Sequence, residues 1–146
     1  MGWPSFSGVT ELPGEVKRSE PITRFIAHGD HFAPETKRVK HQALQPRINP
    51  ATQRLELSVF RAAGAEPGEL WQICAAHVDK PPVGRFMKSR GICGAGVFLD
   101  VDLAFDPNGS PHPRHADVVG WPEAKHAQKS AAQKIAAQMT LEIRPP

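Results

Sequence analysis

QRLELSVFR, residues 53–61, decides the class of fold because apolar and polar side chains alternate along it. Leu57 and Val59 fall on one face of an extended chain, whereas Glu56 and Ser58 fall on the other. A period of two residues is typical of a β-strand with one buried face. We therefore predict a strand here, against which the neighbouring segments must pack.

Two other segments have the composition of helices. In AEPGELWQICAAHV, residues 65–78, Pro67 and Glu69 favour a helix start because proline and acids suit the first turn. PEAKHAQKSAAQKIAAQM, residues 122–139, begins with Pro122 and is rich in Ala, Gln and Lys, which are mostly strong helix formers. The small residues on its apolar stripe predict close packing against a sheet.

Shorter alternating or extended stretches supply the remaining strands. We predict them over residues 22–29, 38–46, 96–107, 116–121 and 140–144. Together with the two helices they predict an α+β fold, in which a mixed or mainly antiparallel sheet is packed by helices 65–78 and 122–139.

A chain of 146 residues is long enough for one domain and its core. We expect that domain to comprise residues 21–146. Residues 1–20 lack periodicity and are predicted to form an N-terminal arm, docked or flexible, with Trp3 and Phe6 as apolar anchors if it docks.

The apolar runs are too short to span a membrane, and the N-terminus lacks the pattern of a signal peptide. The two cysteines, Cys74 and Cys93, are too few for a disulfide framework. These features favour a cytoplasmic protein without a membrane partner, and the R-H-A and G-W-P tripeptides at residues 114–116 and 120–122 resemble those of small bacterial proteins.

Positive charge is concentrated in two segments. The net charge is +3, and the sequence pI is about 9.1. One basic segment covers residues 35–47, and the other, residues 80–90, carries four cations with no acid: Lys80, Arg85, Lys88 and Arg90. If the segments converge, they form a surface for a polyanion; if not, they are two solvated loops.

SPHPRHADVVGWPEAKHAQK, residues 110–129, combines residue types that recognise or cleave phosphate esters: His112, Arg114, His115, Trp121 and Lys125. Arg114 and Lys125 are cations that could bind an anion, which the start of the following helix also attracts. Trp121 could stack on a nucleic-acid base. His112 and His115 titrate near neutral pH, so they fit the acid and base of a metal-free cleavage. A purely structural role for the stretch also remains open.

No cofactor is predicted, since the chain has neither a phosphate-binding glycine loop nor a nucleophile elbow. The two H-x-x-H spacings, at His28 and His31 and at His112 and His115, contain Gly29 and Pro113. Neither therefore lies inside a helix, where such spacing holds a metal. We predict no metal site.

The first functional expectation is a small domain that binds nucleic acid or a phosphorylated ligand through Arg114, Trp121, Lys125 and the basic segment 80–90. The second is a metal-independent, toxin-like ribonuclease or phosphodiesterase that uses His112 and His115. The third is a non-catalytic subunit that docks on a larger protein complex through its N-terminal arm.

Overall fold

The strand at residues 54–61 lies inside the main sheet of the protein, as the alternation predicts. The computed structural model describes Leu12 and residues 14–146. The strands in that part of the chain are β1 Pro21–Ile26, β2 Phe32–Ala33, β3 Arg38–Val39, β4 Arg47–Asn49, β5 Arg54–Arg61, β6 Ser89–Gly94, β7 Ala104–Asp106, β8 His115–Val119 and β9 Thr140–Ile143. The helices are α1 Pro67–His77, α2 Ala95–Leu99 and α3 Lys125–Gln138, with short 3₁₀ turns at Gly29–His31, His41–Leu44 and Pro81–Val83.

The strands form an antiparallel seven-stranded sheet and a separate two-stranded ribbon. In the main sheet the order is β7-β8-β5-β1-β6-β9, with β4 also paired to β5, and β2 pairs with β3. The predicted α+β fold is confirmed, with helices close to both predicted ranges.

Helices cover both faces of this sheet. On one face, Val59 of β5 and Ile22 of β1 share a core with Ile135 of α3 and Phe98 of α2. On the other face, a smaller core joins β1 and β5 to α1 through Phe25, Phe60, Leu70, Trp71 and Cys74. Each large apolar side chain that leaves water in these cores contributes about 1.5–3 kcal/mol.

The strand predicted over residues 96–107 is wrong for most of its length. Residues 95–99 form α2 instead, which buries Phe98 completely, and only Ala104–Asp106 pair in the sheet as β7. Asp102 has a φ of +64°, in the left-handed region that aspartate tolerates better than most residues. The turn at this aspartate interrupts the strand that the alternation suggested.

Two other predicted boundaries also change. The extended stretch 38–46 contains only the two strand residues of β3 before a 3₁₀ turn at His41–Leu44. Helix α3 begins at Lys125 rather than at Pro122, because the backbone of Ala124 is extended, with a φ of −70° and a ψ of 129°. The Gln128 side chain donates to the carbonyls of Pro122 and Glu123 ahead of the helix.

Part of the predicted N-terminal arm contacts the domain. Glu20 is buried against Arg61, with 2.9 Å between carboxylate and guanidinium, and Arg18 pairs with Asp100 at 2.8 Å. Trp3 and Phe6, the predicted anchors, lie outside the described residues.

Strand β5 changes partner along its length, and this opens the sheet. It pairs with β4 at Arg54–Glu56 and with β1 at Phe60 and Arg61. At positions 57–59 it pairs, among the strands of the described residues, with β8 alone. Strands β1 and β5 therefore separate after Thr23, and a cavity lies beside the separation.

Candidate ligand-binding cavity

The cavity has a volume of about 700 Å³ and lies on the sheet face that α1 covers only in part. Its floor comes from β5 and β8, because Ser58 faces Asp117 and Phe60 faces His115 in the strand register. Its walls come from the end of β1 with the following loop, the segment 41–49, the end of α1 and the hairpin 80–87. The site thus depends on contacts between segments far apart in sequence.

Four cationic side chains line this cavity: Arg24, Arg47, Lys80 and Arg85. Within the part of the chain that the structure describes, none of them forms an ion pair with a carboxylate. The two basic segments predicted from the sequence meet here, since Arg47 belongs to one and Lys80 and Arg85 belong to the other.

The two carboxylates of the cavity are engaged elsewhere. Glu56 contacts Arg54 at 2.6 Å. Burial opposes ionisation of Glu56, but hydrogen bonds from Asn49, Arg54 and Thr52 together lower its pKa. Asp117 accepts a hydrogen bond from Asn108 at 2.6 Å. The four cations of the lining therefore outnumber its two carboxylates, and the cavity carries net positive charge.

Arg24 holds its guanidinium across the separation of β1 and β5. Its Nε donates to the Ala43 carbonyl at 2.9 Å, and its Nη1 donates to the Ser58 carbonyl at 3.0 Å. Loss of hydration, with the charges of Arg47 and Arg85, lowers the pKa of Arg24 to about 10. Arg24 stays charged at neutral pH, so a bound anion would relieve this repulsion.

Five of the seven histidines also line the cavity: His28, His31, His41, His77 and His115. The rings of His28 and His31 are 4.7 Å apart between centroids. Burial lowers the pKa of His31, and the charges of His28 and Arg24 lower it further. Among the described residues, no three His, Cys, Asp or Glu side chains are grouped closely enough to hold a metal ion.

His115 is the centre of a hydrogen-bonded chain on the cavity floor. Its Nε2 lies 2.7 Å from Ser58 Oγ, and its Nδ1 lies 2.8 Å from Asn108 Oδ1. Asn108 Nδ2 then donates to Asp117 Oδ2 at 2.6 Å. Burial lowers the pKa of His115 and raises the pKa of Asp117, so both shifts favour the neutral forms.

Three of the residues predicted to contact a ligand lie in the interior. Arg114 is fully buried, and its Nη1 donates to the carbonyls of Arg61 and Ala63. Trp121 is buried, and its indole donates to the Val118 carbonyl. Arg90 is buried against Glu142 at 2.6 Å. These three side chains hold the fold together and do not line the cavity.

The other predicted residues fall into two groups. Lys80, Arg85 and His115 line the cavity. Lys125 and Lys88 are exposed outside it, with Lys88 beside the Gly29 loop. His112 packs against His77, with ring centroids 5.5 Å apart, and burial together with the His77 and Arg114 charges lowers its pKa. His115 therefore lines the cavity, whereas His112 packs against the cavity residue His77 and does not itself line it.

Sequence reasoning missed Ser58 and Asn108. The alternation in residues 53–61 predicts only that Ser58 lies on the polar face of a strand, and the link of Ser58 and Asn108 to His115 requires the register of β5 on β8. A serine on the polar face of a strand gives no local signal of such a link.

No helix among the described residues is long and apolar enough to cross a membrane. Comparisons of the chain with protein-family models, with curated proteins and with solved structures found no match.

Proposed function

We propose that the protein binds a small phosphate-bearing molecule in the cavity. The observation that carries this proposal is the convergence of Arg24, Arg47, Lys80 and Arg85 on one cavity without a carboxylate partner among the described residues. A phosphate monoester carries a charge of about −1.5 to −2 near neutral pH, and arginine guanidinium groups match its oxygens in pairs.

The size and lining of the cavity support a small molecule. About 700 Å³ falls within the range of roughly 300–1,000 Å³ that is usual for ligand pockets. Phe25, Phe60, Val78 and Met87 give the cavity an apolar portion next to its cations. A ligand with a phosphate at one end and an apolar or aromatic group at the other would use both.

The shape favours a small ligand over a nucleic acid. Backbone phosphates of a polymer are best met by cations spread along an open surface. Here the four cations line one cavity, whereas Lys88 and Lys125, which were predicted to extend the surface, do not line it. Trp121 is buried and presents no face for base stacking.

The test is calorimetric titration with phenyl phosphate, inorganic phosphate and a single-stranded RNA oligonucleotide. We expect phenyl phosphate to bind most tightly, because it occupies both the cationic and the apolar parts. Arg47 and Arg85 are exposed, so the double variant Arg47→Ala/Arg85→Ala should fold normally and lose at least about tenfold in affinity, or 1.4 kcal/mol.

The matched control is Lys129→Ala/Lys134→Ala, which removes two charges from exposed positions of α3. It should leave phenyl phosphate affinity unchanged. Equal loss in both double variants would mean that net charge alone attracts the ligand. Tighter binding of the RNA, with a steep decline as salt rises, would replace the proposal with nucleic-acid binding.

A further inference from the structure

We propose that Ser58 is a nucleophile for phosphoryl transfer, with His115 as its general base and Asn108 as the residue that positions the imidazole. The proposal rests on the proposed function for its substrate class, a phosphate ester held by the cations of the cavity. It goes beyond ligand binding by assigning a covalent step.

The hydrogen bonds around Asn108 determine which histidine nitrogen carries the proton. The backbone N–H of Ser110 donates to Asn108 Oδ1 at 3.2 Å, so this atom is the amide oxygen. The same oxygen lies 2.8 Å from His115 Nδ1, which must therefore be the N–H donor. Asn108 Nδ2 donates in turn to Asp117, which agrees with this orientation.

Because Nδ1 carries the proton, Nε2 of the neutral imidazole has a free lone pair. Ser58 Oγ lies 2.7 Å from Nε2, so the hydroxyl donates its proton to the base. This order of nucleophile, imidazole and positioning group is the arrangement that activates a serine in covalent catalysis. Burial, the largest cause, lowers the pKa of His115, which keeps the imidazole neutral near pH 7.

The sheet holds this arrangement on a rigid base. Ser58 pairs with Asp117 and Phe60 with His115 across β5 and β8, so Ser58 and His115 are diagonal neighbours on one face. The ring of Phe60 packs edge-on against His115 with centroids 5.3 Å apart. Ser58 is exposed in the cavity, whereas His115 is 7% exposed. A substrate therefore reaches the hydroxyl while the imidazole is shielded from water.

The neighbouring cation suits a phosphorus centre. Arg24 Nη1 donates to the backbone carbonyl of Ser58 at 3.0 Å, so the guanidinium lies in the gap between β1 and β5, next to the main chain of Ser58. Its Nη2 makes no hydrogen bond within the described residues, since the bonds to protein use Nε and Nη1. A fixed cation beside the attacked phosphorus stabilises the charge on its oxygens in the transition state.

The reaction balances with water as the only co-reactant. Ser58 Oγ forms a bond to phosphorus, the bond from phosphorus to the ester oxygen breaks, and the serine proton passes through His115 Nε2 to the departing alcohol. Water then attacks the phosphoserine, giving its proton to Nε2, and Ser58 Oγ leaves and is reprotonated. One ester and one water become one alcohol and one phosphate, without any redox change.

The experiment combines labelling with turnover. Diisopropyl fluorophosphate transfers its phosphoryl group to an activated serine and releases fluoride, and mass spectrometry of the peptides locates the label. We expect stoichiometric labelling of Ser58 and slow release of p-nitrophenol from p-nitrophenyl phosphate or bis(p-nitrophenyl) phosphate. Ser58→Ala should abolish both, and His115→Gln should slow both by about 10²–10⁴-fold.

Asn108→Ala tests positioning, and Asn108→Asp is its conservative partner. We expect the alanine variant to lower kcat with little change in KM. The aspartate variant also accepts from Nδ1 but loses the N–H that donates to Asp117, so it should recover only part of kcat. Ser130→Ala, at an exposed serine of α3, is the control and should label as the unaltered protein does.

Three results would overturn the nucleophile: an unlabelled Ser58, labelling and turnover that persist in Ser58→Ala, or hydrolysis of p-nitrophenyl butyrate with no turnover of either phosphate ester. Phenyl phosphate titrations on the same samples separate the two proposals. Binding without labelling or turnover overturns the nucleophile and leaves the proposed function standing, whereas absence of all three overturns both.

Discussion

His115 contributes to the stability of the fold and is also the general base of the proposed reaction. Its ring contacts Phe60, and both of its nitrogens are used by Ser58 and Asn108. The groups that affect its titration are the surrounding protein, which lowers its pKa by burial, and the carboxylates of Asp117, Glu56 and Asp106, which oppose that shift. Burial prevails, so the folded protein favours neutral imidazole.

This lowered pKa makes stability depend on pH. The unfolded chain protonates His115 near pH 6.5, whereas the folded protein does so only at lower pH. The stabilisation from neutral His115 is therefore complete above about pH 6.5 and is lost as pH falls through the folded pKa. We expect the free energy of unfolding, measured with urea at about pH 7 and pH 5, to decrease less between these pH values in His115→Gln than in the unaltered protein.

His126→Gln is the matched control for this prediction, because His126 is exposed on α3. It should lose as much stability between the two pH values as the unaltered protein. An equal loss in His115→Gln would show that other titratable groups carry the whole dependence. The His115→Gln variant itself should unfold about 1–3 kcal/mol more easily at pH 7, since it loses the ring contact with Phe60 and the hydrogen bonds of the buried imidazole.

Arg114 shows why residue type alone misleads about function. Its position between two histidines suggested a ligand contact, but the structure buries it completely against carbonyls of Arg61 and Ala63 and 3.8 Å from Glu69. The Nε and Nη2 atoms of Arg114 have no hydrogen-bond partner in the part of the chain that the structure describes. Whether an arginine faces a cavity or a core depends on tertiary packing, which residue spacing does not report.

At the scale of elements, the sequence was informative where the signal is local. Helices 65–78 and 122–139 follow from caps and composition, and strand 53–61 follows from alternation, so their existence was predicted and confirmed. The strand over 96–107 failed because a five-residue helix and a strand both fit such a short apolar pattern. The cavity was not predictable because it arises where β5 exchanges β4 for β1.

The hairpin at residues 80–85 is the element that presents two of the cations. The backbones of Lys80 and Arg85 form an antiparallel β-bridge, and Gly84 lies in the turn between them with a φ of +66°. Gly84→Ala forces a side chain into the left-handed region at a cost of about 1–2 kcal/mol. We expect the strain to distort the hairpin and to weaken phenyl phosphate binding by up to about tenfold, measured by calorimetry.

Gly68→Ala is the matched control, because Gly68 lies in α1 and a Cβ built there meets nothing within 4 Å. This variant should stabilise the protein by about 0.5–1 kcal/mol without a change in affinity. Unchanged affinity in Gly84→Ala would mean that the hairpin cations do not contact the ligand.

At the scale of the whole molecule, the like charges that line the cavity destabilise the protein when no ligand is bound. Arg24, Arg47 and Arg85 are close enough for the last two to lower the pKa of Arg24. Repulsion among like charges raises the free energy of the folded state, and an anion that binds only this state lowers it. Proteins commonly tolerate such destabilisation where a site requires it.

Because of this repulsion, one substitution should affect the stability of the ligand-free protein and its stabilisation by ligand differently. Arg47→Gln removes a cation from an exposed position. The ligand-free variant should therefore unfold at the same or a slightly higher temperature, and its free energy of unfolding should change by no more than about 0.5 kcal/mol. Phenyl phosphate at a hundred times its dissociation constant should stabilise the unaltered protein by about 2.7 kcal/mol. At that same ligand concentration the free energy of unfolding of the variant should rise clearly less.

Lys134→Gln removes the same charge from the exposed face of α3 and should keep the full ligand-induced shift in melting temperature. If Arg47→Gln also keeps the full shift, Arg47 does not act on the ligand, and the positive field of the cavity must come from its other three cations.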